Sequence, residues 1–320
     1  MKNGLAFDSA LTALAPAVWG STYVVTTELL PPDRPLLAAV LRALPAGLVL
    51  LAIGRVLPSG VWWWRASVLG VLNIGAFFYL LFVAAYHLPG GVAALVMAIQ
   101  PMVVLLLGAL LLRERIRRVQ VVACVVGVGG VALLVLQAQA GLDTVGVLAG
   151  LGGACSMASG IVLTKRWGRP QGVGLLTFTG WQLTVGGLVL TPVMLAAEGV
   201  PGHLSGKNVT GFLYLGVIGA LCAYAIWFRG IDRLPALAVS FLSFASPLAA
   251  TVLGYIFLNQ SLSPLQAVGA VAVVTSVVLA QPRAAKQART PAPVPVAVPG
   301  PGSVPGTEPA PESASAAAAG

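Results

Sequence analysis

The chain consists mostly of long apolar runs separated by short polar stretches. Ten of these runs have the length of about 20 residues that a helix needs to cross the hydrocarbon core of a bilayer. Helices satisfy their own backbone hydrogen bonds in lipid, so they are the expected structure of such runs. The predicted spans are residues 8–28, 35–54, 66–86, 90–112, 118–137, 145–164, 173–196, 210–228, 236–258 and 264–281. The pattern therefore predicts an all-α integral membrane protein with ten transmembrane helices.

The stretch from Leu88 to Gln120 returns later in the chain with its punctuating residues in the same places. Apolar matches alone carry little information here, but matched prolines, glycines and glutamines at one fixed spacing indicate an internal duplication. The matched pairs are Pro89 and Pro235, Pro101 and Pro247, Gly108 and Gly254, and Gln120 and Gln266. Spans 2 and 7 match as well, which aligns Arg42 with Gln182. We expect two five-helix repeats, residues 1–140 and 141–281.

Composition agrees with this architecture. The 320 residues are 58% hydrophobic and only 8% charged, whereas soluble domains carry about 25% charged residues. Residues 282–320 differ sharply, because they are rich in Pro and Ala and lack aromatic residues. Such a segment cannot bury a core, so it is predicted to be a disordered cytoplasmic tail.

The net charge of +9 does not indicate nucleic-acid binding, because the basic residues lie in the short loops between spans. Of the 18 Lys and Arg residues, only Arg34 and Lys207 fall in the predicted outer loops, and Arg42 falls within a span. The positive-inside rule then places both termini in the cytoplasm. Since each repeat has an odd number of spans, the two repeats are predicted to be inverted, an arrangement common in alternating-access transporters.

Polar and aromatic residues inside the spans are candidates for a substrate path near mid-membrane. Each of them could instead be an ordinary interhelical contact. Arg42 in particular could recognise a substrate carboxylate or could have a structural role. The candidate path residues are Trp19, Tyr23, Arg42, Asn73, Tyr79, Gln100, Ser156, Gln182, Tyr224 and Ser243.

Other chemistry has little support in the sequence. The three cysteines, Cys124, Cys155 and Cys222, lie in apolar spans without ligand spacing, so we expect no metal, disulfide or cofactor. No Asp or Glu lies at mid-membrane, so a buried-carboxylate proton mechanism is not supported. Facilitated diffusion, an electrogenic process or a process linked to His87 remain open. No charged ring or filter-like segment indicates a channel.

Several features together resemble the EamA-type branch of the drug/metabolite transporter superfamily. They are the two five-helix halves, the mid-span prolines, the Gly108 to Glu114 spacing, Gln120, and Trp19-Gly20-Ser21 in span 1. The resemblance implies a ten-helix inner-membrane carrier, often an exporter of amino acids or related metabolites. It also implies a central cavity built from spans 1, 3, 4, 6, 8 and 9. Gln260 departs from the family's glutamate in the second half, which we expect to affect packing.

We therefore expect a secondary transporter of small metabolites, most simply an exporter, in the inner membrane. An efflux carrier for drugs or quaternary amines is the alternative, because aromatic residues in spans 1, 3 and 8 could make cation–π contacts. An integral-membrane enzyme is a second alternative, but it would need clustered His, Asp, Glu or Cys residues, and the chain has only two histidines.

Overall fold

The computed structural model describes residues 2–88, 90–135, 143–257 and 263–280, and within these ranges all regular secondary structure is helical. The predicted tail, residues 282–320, and Gln260 lie outside the described residues. The helices are α1 (Lys2–Trp19), α2 (Thr22–Leu29), α3 (Pro35–Gly54), α4 (Trp62–His87), α5 (Gly90–Met97), α6 (Gln100–Leu111), α7 (Arg118–Val135), α8 (Thr144–Trp167), α9 (Leu175–Ala197), α10 (Gly206–Arg233), α11 (Ala236–Leu242), α12 (Ala245–Phe257) and α13 (Pro264–Ala280).

Six helical stretches of the described chain are long and apolar enough to cross a membrane. They are α3, α4, residues Val92–Leu111, α8, α9 and α10, and shorter apolar helices cover the last two predicted spans and the fifth. The helical character of the predicted spans is thus confirmed within the described residues. The number of membrane crossings stays a prediction.

Three of the predicted spans are interrupted helices. The first breaks between α1 and α2 at Gly20-Ser21, four residues after Pro16. The fourth breaks between α5 and α6 at Ala98-Ile99, just before Pro101. The ninth breaks between α11 and α12 at Ser243-Phe244, shortly before Pro247. Because proline lacks a backbone N–H, it is tolerated in the first turn of a helix and favours a new start there.

Two helices contain a wider π-helical segment at equivalent places in the two repeats. Residues Val71–Ala76 of α4 and Tyr214–Cys222 of α10 form these segments. Such segments commonly occur at functional sites in helices.

Helices α3 and α9, the predicted spans 2 and 7, pack closely against each other in opposite directions. A methyl group on Gly187 would lie 2.6 Å from the Leu44 Cβ, so only glycine permits this approach. Gly47, the repeat equivalent of Gly187, is just as tightly enclosed. The contacts pair Leu44 with Gly187, Gly47 with Thr184, Leu50 with Gly180, and Gly54 with Thr177. Numbering rises along one helix as it falls along the other, so the equivalent spans are antiparallel.

Helices α7 and α13, the predicted spans 5 and 10, make the second such contact. A methyl group on Gly130 would lie 2.9 Å from the Gly269 oxygen, and one on Gly127 would lie 2.8 Å from the Ser276 Oγ. These contacts again run in opposite directions along the two helices. The second pair of equivalent spans is therefore antiparallel as well.

Polar contacts join the helices at the two ends of the bundle. At one end the Asp8 carboxylate accepts hydrogen bonds from Arg229 at 2.7 Å and Arg233 at 3.4 Å. At the other end Glu198 accepts from the backbone N–H groups of Leu36 and Leu37, at 2.6 and 2.8 Å. That carboxylate satisfies donors at the start of α3, where an anion is favourable.

Candidate functional site

A central cavity of about 70 Å³ lies where the three interrupted helices meet. Residues before and after the first two breaks line it, and at the third break the lining comes from Ser243 and Phe244 and from the start of α12. The lining residues are Pro16, Trp19, Tyr23, Arg42, Phe77, Leu81, Ala94, Met97, Ala98, Gln100, Met157, Trp227, Ser243, Phe244, Ser246 and Pro247. They come from the six spans that the family resemblance implied, and also from α3, which contributes Arg42.

Arg42 carries the only formal charge among these lining residues, and its side chain is 1% exposed. Its Nη2 donates to the Gly219 oxygen at 3.2 Å, whereas Nε and Nη1 have no hydrogen-bond partner. The guanidinium lies over the Phe78 ring, 4.5 Å from its centroid. A basic group at the centre of a bilayer costs about 2.5–3.5 kcal/mol even on insertion scales. The Phe82 ring is the second aromatic contact, at 5.9 Å, so one carbonyl and two ring faces surround a charge that has no anionic partner among the lining residues.

The Gly219 carbonyl holds two lining side chains at once. Trp19 donates from Nε1 to this oxygen at 2.8 Å, and Arg42 donates to the same atom. Gly219 lies in the π-helical segment of α10. In the other repeat, Ser156 of α8 donates at 2.8 Å to Leu72 in the π-helical segment of α4. Each repeat thus anchors its first helix on the π-helical segment of the other.

Aromatic side chains form one wall of the cavity. The Trp19 ring lies 4.8 Å from Tyr224 and 5.1 Å from Trp227, measured between centroids. Tyr224 is fully buried behind this wall and also contacts Phe78 at 5.5 Å. The Trp227 Nε1 and the Tyr224 hydroxyl have no hydrogen-bond partner. The wall combines flat apolar faces with unused donors.

The remaining polar lining residues have few partners. The Tyr23 hydroxyl contacts the Met97 sulfur at 3.8 Å, and the Gln100 Nε2 is buried without a partner. Ser243, in the helix break, donates to the oxygen of Ser240 in the last turn of α11 at 2.5 Å. None of the cavity-lining residues is Asp or Glu. The site is therefore rich in donors and poor in strong acceptors.

The structure brings five of the ten predicted path residues to the cavity: Trp19, Tyr23, Arg42, Gln100 and Ser243. Two others, Asn73 and Gln182, meet each other away from it, where the Asn73 Nδ2 donates to the Gln182 Oε1 at 2.7 Å and to the Thr164 Oγ1 at 3.2 Å. Tyr224 lies outside the lining and contacts Trp19, whereas Ser156 donates to the Leu72 oxygen, which is not part of the lining. Tyr79 lies outside the lining and is 37% exposed.

Several lining residues are apolar, so no polar group in the sequence identifies them as part of a substrate site. Phe77, Met97, Met157 and Phe244 are ordinary core residues by type. Only proximity to the prolines at the helix breaks could have indicated Met97 and Phe244. As for metals, the described ranges contain no group of three His, Cys, Asp or Glu residues that could hold an ion.

A multi-pass bundle of apolar helices, broken at a central polar cavity, is the architecture of a membrane transporter. The EamA-like transporter family matches residues 9–136 and again residues 144–280. The chain therefore belongs to this family, with one match in each half, and the resemblance inferred from the sequence is confirmed.

Individual relatives agree with the family assignment. Protein PecM of Dickeya dadantii (strain 3937) is 50% identical over 267 residues, 83% of this chain and 90% of PecM. The uncharacterized inner membrane transporter YedA of Escherichia coli (strain K12) is 30% identical over 270 residues, 82% of this chain and 86% of YedA. A solved crystal structure with 21% identity has a TM-score of 0.70 and covers 85% of this chain and 96% of its own, so it shares the fold.

Proposed function

We propose that the chain is a secondary transporter that carries a small metabolite by alternating access, and that the central cavity is its binding site. The observation that carries this proposal is the position of the cavity. It lies where helix breaks from both repeats converge, with one buried cation and an aromatic wall around it. Transporters with repeated halves place their substrate sites at such breaks. In keeping with the family, the chain acts as a carrier and not as an enzyme.

The proposed topology has ten spans in two inverted five-helix repeats, residues 1–140 and 141–281, with both termini in the cytoplasm. The antiparallel packing of α3 against α9 and of α7 against α13 supports inversion. The distribution of basic residues supports the orientation. An inner-membrane location is proposed in addition because YedA is named an inner membrane transporter.

The cavity is small in this conformation. About 70 Å³ would admit roughly five water molecules, at 10–15 Å³ each. We expect substrate entry to widen the cavity through separation of the helices at one end of the bundle. The Asp8–Arg229 pair and the Glu198 cap of α3 tie the two ends. We infer that these contacts break and re-form alternately as the cavity opens to each side.

The quaternary-amine alternative is opposed by the charge of the site. Aromatic faces are present, as that alternative needs, but they surround the Arg42 guanidinium. A cationic substrate would enter beside a buried positive charge without a carboxylate among the lining residues to balance it. The site is thus better suited to neutral or anionic compounds.

Counterflow in proteoliposomes tests transport directly. The full chain is reconstituted, preloaded with a pool of small metabolites of all charge classes, and assayed with and without a proton gradient. We expect saturable exchange of one class of compound. Protein-free liposomes are the control, and failure of folded protein to exchange any compound would refute the proposal.

A matched pair of tyrosine variants tests the location of the site. Tyr23 lines the cavity and Tyr79 does not. We expect Tyr23→Leu to lower exchange about tenfold, since it removes a polar group and part of the wall. Tyr79→Leu should exchange like the wild type. Equal effects of the two changes would place the path elsewhere.

A further inference from the structure

We propose that the substrate of this cavity is an organic monoanion, specifically a carboxylate attached to a flat apolar body. This inference rests on the proposed transport function and names the class of compound that the same site accepts. The observations that carry it are the buried, underpaired Arg42 and the character of the groups around it.

The guanidinium of Arg42 is buried with two of its three nitrogens, Nε and Nη1, unpaired. Each of these nitrogens can donate a charge-assisted hydrogen bond to a carboxylate oxygen, a stronger bond than one between neutral groups. A buried charge is normally paired, because removing it from water is unfavourable unless a counter-charge replaces the water. Since no lining residue is Asp or Glu, the counter-charge has to arrive with the substrate.

The neighbouring unpaired groups favour the same class of ligand. The Trp227 Nε1 and the Gln100 Nε2 are buried donors without partners, and both residues line the cavity with Arg42. An indole N–H can only donate a hydrogen bond. Arg42, Trp227 and Gln100 thus all have hydrogen-bond donors without partners, and no lining carboxylate accepts from them. A ligand group that only accepts hydrogen bonds, such as a carboxylate, would pair with these donors.

The apolar part of the lining indicates the body of the substrate. Four of the lining residues are aromatic and carry only apolar or largely apolar rings: Trp19, Trp227, Phe77 and Phe244. Flat apolar or aromatic groups pack on such surfaces and gain from offset or edge-to-face contacts. A small polar anion would leave these faces without a partner, so the apolar body is part of the assignment.

The balance of charge distinguishes a simple carboxylate from an amino acid. One cation in the cavity matches one negative charge. The ammonium group of a zwitterion would lie near the guanidinium without a lining carboxylate to balance it. The expected order of binding is therefore carboxylate first, then zwitterion, then neutral amide, with the amine last.

Four compounds with one phenyl body test this order: 3-phenylpropionate, phenylalanine, 3-phenylpropanamide and 3-phenylpropylamine. Binding to the purified full chain is measured by isothermal titration, and exchange is measured by counterflow in proteoliposomes. We expect 3-phenylpropionate to bind about tenfold or more tightly than the amide, as an added charge-assisted pair would give. Its net uptake into liposomes that contain no substrate should also respond to membrane potential, because without exchange each transported anion carries one negative charge across.

Variants at Arg42 separate a substrate contact from a structural role. Arg42→Gln should weaken binding of 3-phenylpropionate about 30-fold and leave the amide nearly unchanged. Its thermal midpoint should equal or exceed that of the wild type, since an unpaired buried charge is removed. Arg42→Lys should retain part of the preference. Arg65→Gln is the matched control, because Arg65 stacks on Trp62 and Trp167 outside the cavity lining.

Three results would overturn the assignment. They are tighter binding of phenylalanine or the amine than of the carboxylate, an unchanged carboxylate preference in Arg42→Gln, and a clear loss of thermal stability in that variant. If the metabolite pool still exchanges in any of these cases, the transport function stands and only the anion assignment fails. If nothing exchanges, the proposed function fails first.

Discussion

Asn73 fills the gap that Gly160 leaves in α8. A methyl group on Gly160 would overlap the Asn73 amide, which holds Gln182 and Thr164. We expect Gly160→Ala to destabilise the protein by about 1–3 kcal/mol, as overpacking of a close interior contact does. Thermal unfolding of the purified protein measures this change.

The control for that change is Gly129→Ala, because Gly129 on α7 is exposed and has nothing within 4 Å of the added methyl group. Its midpoint should match or slightly exceed that of the wild type, since alanine favours a helix. If both variants unfold alike, the contact between Gly160 and Asn73 accommodates a methyl group without cost.

The residue scale also shows where sequence reasoning stops. Tyr23 and Tyr79 are both tyrosines inside predicted spans, yet only Tyr23 lines the cavity. Phe77 and Leu81 share the cavity-facing side of α4, and Tyr79 lies two residues from each, on the opposite side. Because a membrane helix is apolar around its whole circumference, its sequence does not mark which side faces inward.

The π-helical segment adds to this ambiguity. Residues Val71–Ala76 lie between the start of α4 and Tyr79. A π-helical insertion adds a residue to the turn and rotates the later part of the helix by about 100° relative to the earlier part. Positions counted along an ideal helix from Asn73 therefore do not fall where the pattern predicts.

At the scale of elements, α7 contacts a cavity-lining side chain at one glycine, Gly127. It contributes no lining residue, but a methyl group on Gly127 would lie 2.8 Å from the Phe244 Cζ. Phe244 is 1% exposed and lines the cavity. We expect Gly127→Ala to push this ring inward and to lower substrate exchange roughly tenfold, from an overpacking cost of about 1–3 kcal/mol.

Counterflow of protein matched for amount in the membrane tests this effect. Gly129→Ala again provides the control, since it adds the same atom to the same helix on an exposed side. Normal exchange in Gly127→Ala would show that the Phe244 position does not matter for the substrate.

The helix breaks were the part of the elements most open to prediction. Pro101 and Pro247 stand at equivalent places in the repeats, and each follows closely on a break in the structure. The break at Gly20-Ser21 follows Pro16. Proline acts on the backbone locally, so its effect is visible in sequence. The contact between the Gly219 oxygen and Trp19 joins residues far apart in the chain, which no local pattern reveals.

At the scale of the whole molecule, the predicted orientation can be tested with single cysteines. Ser59 and His203 are both exposed and lie in loops assigned to opposite sides. In a background with Cys124, Cys155 and Cys222 replaced, we expect His203→Cys to react with a membrane-impermeant maleimide in intact cells. Ser59→Cys should react only after the membrane is permeabilised.

The opposite labelling pattern would show that the protein has the reverse orientation. Labelling of both residues in intact cells would show that they lie on the same side of the membrane, which contradicts the proposed number of spans between them.

The duplication itself was evident in the sequence from its matched prolines and glycines. The antiparallel contact of α3 and α9 was not, because the match shows that two spans are alike without showing that they touch.

The unequal fates of Arg42 and Gln182 have an evolutionary consequence. The two positions descend from one ancestral position if the repeat arose by duplication, yet Arg42 faces the cavity and Gln182 is held between Asn73 and its own helix. Changing residue 182 would disturb three packed helices, whereas changing residue 42 alters chiefly what the cavity accepts. The first repeat can thus change the substrate specificity while the second repeat preserves the helix packing. Adaptation in this architecture can therefore proceed through mutations in only one half of the gene.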